Sequence, residues 1–515
     1  MATQLDRAND PLSGFAPEAL ITDAAECAFY AEDVFTAGPA PIAVFRPSNI
    51  DELARGVGQA TAAGISIIPR GGGMSYTSGY VAPEAGALIV DLGRMARILE
   101  VNAVDMTVTV EAGCSWNALY EALRPMGLRT PLWGSLSGIK ASIGGGMSQN
   151  GLFWGARNGT MAHSALSYDV VLADGSVLKT GSGFVRPFGP DLTGLFCADA
   201  GAFGIKAHVT LPLMREAEAF AYGSFAFEAP PQYCAAMSEI ARCGLASESF
   251  GFDPFLQAQR MKRDSLVSDA KQLVGMMKSQ GGFWKGVKEG AKVVAAGRSF
   301  LDEARFSIHL ICEGRSQAAV DEDMRRIEAI VAESGGTKVE NSIPKILRAN
   351  PFPPVNSMVG PEGERWVPVH GVVRHSKALA TIEAITALFD THEAEMERLS
   401  VGAGYMFLTV GATGFLIEPV FYWPDAQGEI HRRSVEPAHF AKLTRFPANP
   451  PARALVELLR SEVIGIFGRM EAIHFQLGRA YPLKERSDPK AWGLLEQVKN
   501  LVDPHHLMNP GALGL

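Results

Sequence analysis

Apolar and polar residues alternate with period two over MTVTVEAG at 106–113, which predicts a strand. The apolar stretches PIAVFRP at 41–47, ISIIP at 65–69 and ALIVDL at 87–92 predict three more. Between the first two, Ser48 reads as a helix cap with Asp51 three residues on, and Gly64 closes that helix. Ser115 reads as the cap of a second helix, WNALYEALRPMG. YDVVLADGSVLKT at 168–180 has the form of a hairpin turned by Asp174-Gly175. The first 210 residues therefore alternate α and β elements with many short strands. From 216 the pattern is less regular. Strands are predicted at 305–314 (RFSIHLICEG), 365–376 (RWVPVHGVVRHS) and 414–424 (GFLIEPVFYWP). Residues 378–399 read as one helix with an apolar stripe and an acidic, solvated face.

Glycine interrupts this pattern twice. PRGGGMSYTSG at 69–79 follows a predicted strand, and SIGGGMSQNG at 142–151 is the second cluster. Glycine lets a ligand approach backbone N–H groups with no Cβ in the way. Successive N–H groups in a turn make a concavity for anions, so a phosphate-bearing ligand is one reading and a mobile loop the other. The usual nucleotide motifs are missing: no G-x-x-x-x-G-K-[ST], and no G-x-G-x-x-G after a strand. Neither G-x-S-x-G nor H-E-x-x-H occurs.

Composition narrows the classes. A chain of 515 residues, 47% hydrophobic and 20% charged, predicts a folded protein of two or three domains. Its net charge of −8 argues against nucleic-acid binding. Six cysteines without a C-x-x-C pair give no zinc spacing and no disulfide framework, which points to a reducing compartment. With no long apolar span and no apolar leader, the expectation is a soluble, cytoplasmic protein.

The ordered motifs PRGGG, VDLGRMARILEVN, TVTVEAGCSWNALYEAL, IGGGMSQNG, YDVVLADGSVLKTG and AGAFGIKAHVTLPL resemble the flavin domain of the vanillyl-alcohol oxidase and p-cresol methylhydroxylase flavoproteins. LVDPHHLMNPG resembles the same family's C-terminal signature. The resemblance covers 40–215 strongly and 365–515 weakly. It implies an α+β fold: an N-terminal extension (1–36), a PCMH-type FAD-binding domain of two α/β subdomains (37–215), an α+β cap (216–460) and a C-terminal return to the FAD domain (461–515). It implies that Pro69, Arg70, Gly71, Gly72, Gly73, Met74 and Ser75 wrap the FAD pyrophosphate. Gly144, Gly145, Gly146, Ser148, Gln149 and Asn150 would hold the other side of the cofactor. Gly204 and Ile205 would pack on its flavin or adenine portion, and Asn509 would lie near the flavin ring. Leu416 and Ile417 align where a covalently attached histidine would stand, so noncovalent FAD is expected and His163 is read as structural.

Such a flavoenzyme oxidises a CH–OH group, with hydride passing to flavin N5. The substrate expected is a small benzylic or allylic alcohol, or a 2-hydroxy acid. A D-lactate or D-2-hydroxy acid dehydrogenase passing electrons to a cytochrome or quinone is one alternative, and a flavin-binding electron-transfer subunit another. The electron acceptor is oxygen, a quinone or a cytochrome, and a homodimer is left open. The catalytic candidates are His370, Arg374, Glu418, His474 and Arg479, with histidine the usual proton acceptor and Arg374 able to pair with a carboxylate or stabilise an oxyanion. Glu418 stands out as a charge within the apolar run FLIEPVFYW, where burial demands a partner or a raised pKa. Against phenol oxidation, Met74 and Gly478 align where phenol-binding tyrosines are expected. The motif H-x-G-D-G-N-x-H of the hydroxy-acid branch is absent, and no metal is expected, although His370, His375, Glu418 and His474 offer a ligand set.

Residues 254–300 carry nine Lys/Arg against three Asp/Glu, with apolar residues interleaved. They read either as solvated cap helices or as a docking patch for an acidic redox partner or an anionic membrane surface.

Overall fold

A computed structural model of the chain describes residues 12–261 and 305–515. The strands Ala43–Phe45 and Ile67–Arg70 both run parallel to Leu88–Asp91 in a four-stranded sheet, and the helix Ile50–Ala62 crosses between them. The helix is capped one residue later than the sequence suggests. Asn49 Oδ1 accepts from the Glu52 N–H at 2.9 Å, while the Glu52 carboxylate accepts from the Ser48 N–H and hydroxyl. Gly64 follows at φ +72°, a left-handed turn that favours glycine.

Thr107–Glu111, with its alternating burial, lies in a five-stranded antiparallel sheet beside Ile205–Pro212. That sheet ends in the expected hairpin, Ser167–Val171 paired with Val177–Lys179. Ser115 does cap Trp116–Leu123, accepting from the Ala118 N–H at 3.1 Å.

The second half of the chain builds an eight-stranded sheet. Its strand Gly414–Trp423 is buried along its whole length, paired on one side with Gly402–Val410. On the other side it pairs with two short strands, Arg365–Pro368 and Gly371–Arg374. The single strand expected at 365–376 is thus interrupted at Val369 and His370. The helix expected at 378–399 is also two, Ala378–Thr391 and Glu393–Leu399, divided at His392. No described helix is long and apolar enough to cross a membrane. Most of the basic stretch 254–300 lies outside the described residues.

The chain then returns to its beginning. The Ile67 N–H donates to Leu507 O and the Asn509 N–H to Ile67 O, both at 2.7 Å, extending the first sheet.

Where the large sheet meets the first half, four charges interlock. Arg129 and Arg348 each pair with both Glu216 and Glu313. Beside them Glu248 is buried, accepting from Gly155 N–H at 2.8 Å and Trp133 Nε1 at 3.3 Å. Burial, reinforced by Glu313, pushes its carboxyl up to about 8. A raised folded-state pKa means the folded protein holds the proton more tightly than the unfolded chain. Stability from this group is therefore full below the ordinary carboxylate range and lost as pH rises through about 8. The melting temperature should fall further between pH 6 and pH 9 in the wild type than in Glu248→Gln. Parallel pH profiles would show that Glu248 is charged throughout.

Candidate active site

Ile67–Arg70 delivers the first glycine cluster to the wall of a deep cavity, whose empty space is about 1630 Å³ including its open mouth. Among the described residues, no hydrogen bond satisfies the backbone N–H groups of Gly71, Gly72, Gly73, Met74, Ser75 or Tyr76. Buried or half-buried N–H groups in such a row need an acceptor, and a row of them suits a polyanionic one. Arg70 supplies positive charge at the base of the loop, held over the rings of Phe29, Tyr30 and Tyr80 at 4.9, 4.6 and 5.4 Å. These groups fit a pyrophosphate.

The second glycine cluster is not a loop. Ser142 caps a short helix, Ile143–Gln149, whose glycines serve close packing. A Cβ on Gly144 would meet Ala112 Cβ at 2.5 Å, and one on Gly146 would meet Met161 Sδ at 2.5 Å. Gly145 is the least crowded, a Cβ there meeting only the Ser142 hydroxyl, at 3.0 Å. All three line the cavity, as do Ser148 and Gln149. Asn150 does not: at φ +52° it ends the helix, and its Oδ1 accepts from the Ala162 N–H. Gly204 and Ile205 line the cavity at the start of their strand. Next to them, Lys206 Nζ bonds Ser148 Oγ at 2.9 Å and pairs with buried Asp199 at 2.6 Å.

The rest of the wall is apolar and aromatic, with Phe153, Trp366, Met406, Leu416 and Phe475 alongside Tyr76. Into it points Glu418, the single carboxylate among the described lining residues. Burial pushes its carboxyl up to about 7 against the pull of Arg260, whose guanidinium lines the same space. Gln476 also faces the cavity, donating to the Tyr76 hydroxyl at 3.2 Å. Sequence reasoning missed Tyr76, Trp366 and Arg260. Tyr76 lies two residues beyond the loop position where a tyrosine was sought.

Four expected catalytic residues lie elsewhere. Arg374 is 71% exposed and pairs with Glu471 on the surface. Arg479 spends its donors on Ser78, Val81 and Pro510 carbonyls and on Asn509 Oδ1, fastening the C-terminal segment to the residues after the glycine loop. Asn509 itself is fully buried, donating to Gly79 O and Ala200 O, and does not line the cavity. His370 and His474 sit behind the cavity wall, the first stacked on Phe475 at 3.7 Å. His375 turns away to Ala412 O, so the four possible metal ligands do not converge. His163 closes a helix cap with Thr160.

Residues 41–181 match the family described as FAD binding domain, and 477–513 that of FAD linked oxidases, C-terminal domain. The chain is 32% identical to D-2-hydroxyglutarate dehydrogenase of Xanthomonas citri pv. viticola over 177 residues, 34% of this chain and 37% of that protein. The curated relatives it matches are thus spanned over less than half of their length. Solved structures match throughout. p-Cresol methylhydroxylase with substrate bound has a TM-score of 0.73 at 15% identity, covering 100% of this chain and 98% of that one. 4-Ethylphenol oxidase from Gulosibacter chungangensis has 0.71 at 18%, covering 99% and 97%.

Proposed function

We propose that this chain, an FAD-binding protein with the fold of the p-cresol methylhydroxylase-type flavoproteins, oxidises the CH–OH group of a small, largely apolar alcohol. The observation that carries this reading is Glu418: one buried carboxylate, its pKa pushed up to about 7 by burial, facing an aromatic and aliphatic cavity. FAD, held noncovalently, supplies the hydride acceptor when bound. The residues 71–76 would bind its pyrophosphate through their backbone N–H groups. Glu418 takes the hydroxyl proton, and the wall around it excludes water and orients the C–H bond. Tyr76 and Gln476, already bonded to each other, give the substrate oxygen a polar edge.

A 2-hydroxy acid is the second reading, favoured by the Arg260 guanidinium beside Glu418, which suits a carboxylate. Electrons then pass to oxygen, a quinone or a cytochrome. The test is anaerobic: benzylic alcohols, allylic alcohols and 2-hydroxy acids are added in turn to the yellow holoprotein. Bleaching of the flavin band by an alcohol supports the first reading and bleaching by a hydroxy acid the second. No bleaching with any of them would make the chain an electron-transfer subunit.

A further inference from the structure

Behind the cavity wall lies a buried nest of nitrogen atoms. His370 has no exposed surface, and neither ring nitrogen has a partner among the described residues. His474 Nδ1 lies 2.7 Å from His370 O, and its Nε2 has no partner there either. Arg460, 8% exposed and stacked over Phe35 at 4.1 Å, forms no ion pair among the described residues, and its Nε and one Nη stand unpartnered. His370, Tyr481 and His474 touch, the backbone N–H of His370 donating to the Tyr481 hydroxyl at 3.1 Å and Tyr481 stacking on His474 at 4.1 Å, and the Arg460 charge bears on His370 and Tyr481.

The donor and acceptor count says what fills it. A carbonyl only accepts, so His474 Nδ1 carries the hydrogen and Nε2 presents a lone pair. Neutral His370 adds one donor and one acceptor, and Arg460 three donors, one on Nε and two on the unpartnered Nη. An anion would satisfy the donors and be repelled by the bare His474 Nε2. Water both donates and accepts, and buried water typically bridges such otherwise unsatisfied groups.

The nest also has two ends. Pairing of Pro368 with Val420 and of Gly371 with Ile417 sets His370 at the register position opposite Glu418. Tyr76, on the cavity wall, has its ring 6.0 Å from His370. At the other end the His474 side chain is half-buried, its Nε2 enclosed and the rest of the residue reaching solvent.

We propose that His370, His474 and Arg460 hold a file of ordered water that carries the reaction's proton from Glu418 to the surface. This rests on the reading of Glu418 as base. Oxidation of CH–OH to C=O sends a hydride to FAD and one proton to Glu418. The file removes that proton, restores the carboxylate and releases one proton at His474. A relay must not trap its cargo. Burial, the charge of His474 and the Arg460 cation all hold His370 well below the ordinary histidine value, and burial holds His474 down to about 4. The charged or titratable groups bearing on the nest are Glu418 on its strand and Tyr76 on the glycine loop. Arg460 and Glu457 bear on it from their helix, Tyr481 and Arg486 from the C-terminal segment, and Asp33 from near the N-terminus.

Two measurements test this. A crystal structure of the holoprotein should show ordered waters bonded to the His370, His474 and Arg460 nitrogens; a dry nest or an anion there overturns the proposal. In anaerobic single turnovers with a reducing alcohol, flavin absorbance and a pH indicator are followed together. In the wild type the proton should appear with flavin reduction. In His370→Phe, which keeps the ring stack, it should lag reduction by about 10²-fold or more, the low end of what a positioned proton-transfer group contributes. His474→Phe should give the same lag should His370→Phe not fold. Coincident proton release in the variants overturns the relay, as does a loss of flavin reduction equal to that of Glu418→Gln, which would make His370 the base. Unimpaired reduction in Glu418→Gln would overturn the base assignment and with it the relay's origin at Glu418, whereas a dry nest or coincident proton release with Glu418→Gln slowed would overturn the relay and leave the base in place.

Discussion

Gly72→Val should be purified colourless, with no FAD released on denaturation. A Cβ at Gly72 would stand 1.9 Å from Lys140 O, 2.7 Å from Lys140 C and 2.9 Å from Ala141 Cα. All three are backbone atoms, so no side-chain rotation relieves the clash. The loop must move away from the segment before the Ser142 helix, and the row of N–H groups from Gly71 to Tyr76 loses its curvature. An approach of 1.9 Å to a backbone atom lies far outside the overpacking of about 1–3 kcal/mol that shifting side chains absorb, so the loop is displaced, and each hydrogen bond to a charged phosphate lost with it weakens FAD binding by about 1.5–3 kcal/mol. The cause differs from the one sequence reasoning supplies, which is a side chain intruding on the cofactor. Here the intrusion is on the protein's own backbone. Stoichiometric FAD in Gly72→Val would remove the loop from the cofactor site.

Glu418→Gln should retain its FAD and reduce it at least about 10²-fold more slowly, the usual contribution of a positioned general base. Glutamine keeps the shape of the side chain and cannot accept the proton. In the wild type the active form is the carboxylate. The folded pKa is raised to about 7, so the rate of flavin reduction should rise with pH through about 7 and level off above it. The variant should show no such step. The measurement is stopped-flow flavin reduction from pH 5.5 to 9. A wild-type rate in the variant, or the same pH step in both, would place the base elsewhere.

Local signals were legible in the sequence, and assembly was not. The strands at 41–47, 65–69, 87–92 and 106–113, the Ser115 cap and the Asp174-Gly175 hairpin are written within a few residues each, and so is the glycine loop. Glu418 was legible because one charge in a run of apolar residues has few explanations. The second glycine cluster misled, because glycine's poor helix propensity is overridden by contacts to Ala112 and Met161 that no local pattern announces. The two arginines misled for a related reason. Charge type suggests anion binding, yet Arg479 is consumed by carbonyls and Arg374 by a surface carboxylate. The cavity wall combines residues from 76, 153, 366, 416 and 475, and its composition exists only after the sheets close.

The clamp formed by Arg479 and Asn509 fixes an order of events in biosynthesis. The residues it grips, Ser78, Gly79 and Val81, directly follow the phosphate loop. Residues 477–513 leave the ribosome only after the whole eight-stranded sheet has been made. Contacts so distant in sequence form late. The clamp therefore cannot close on the end of the phosphate loop until residues 477–513 have been made.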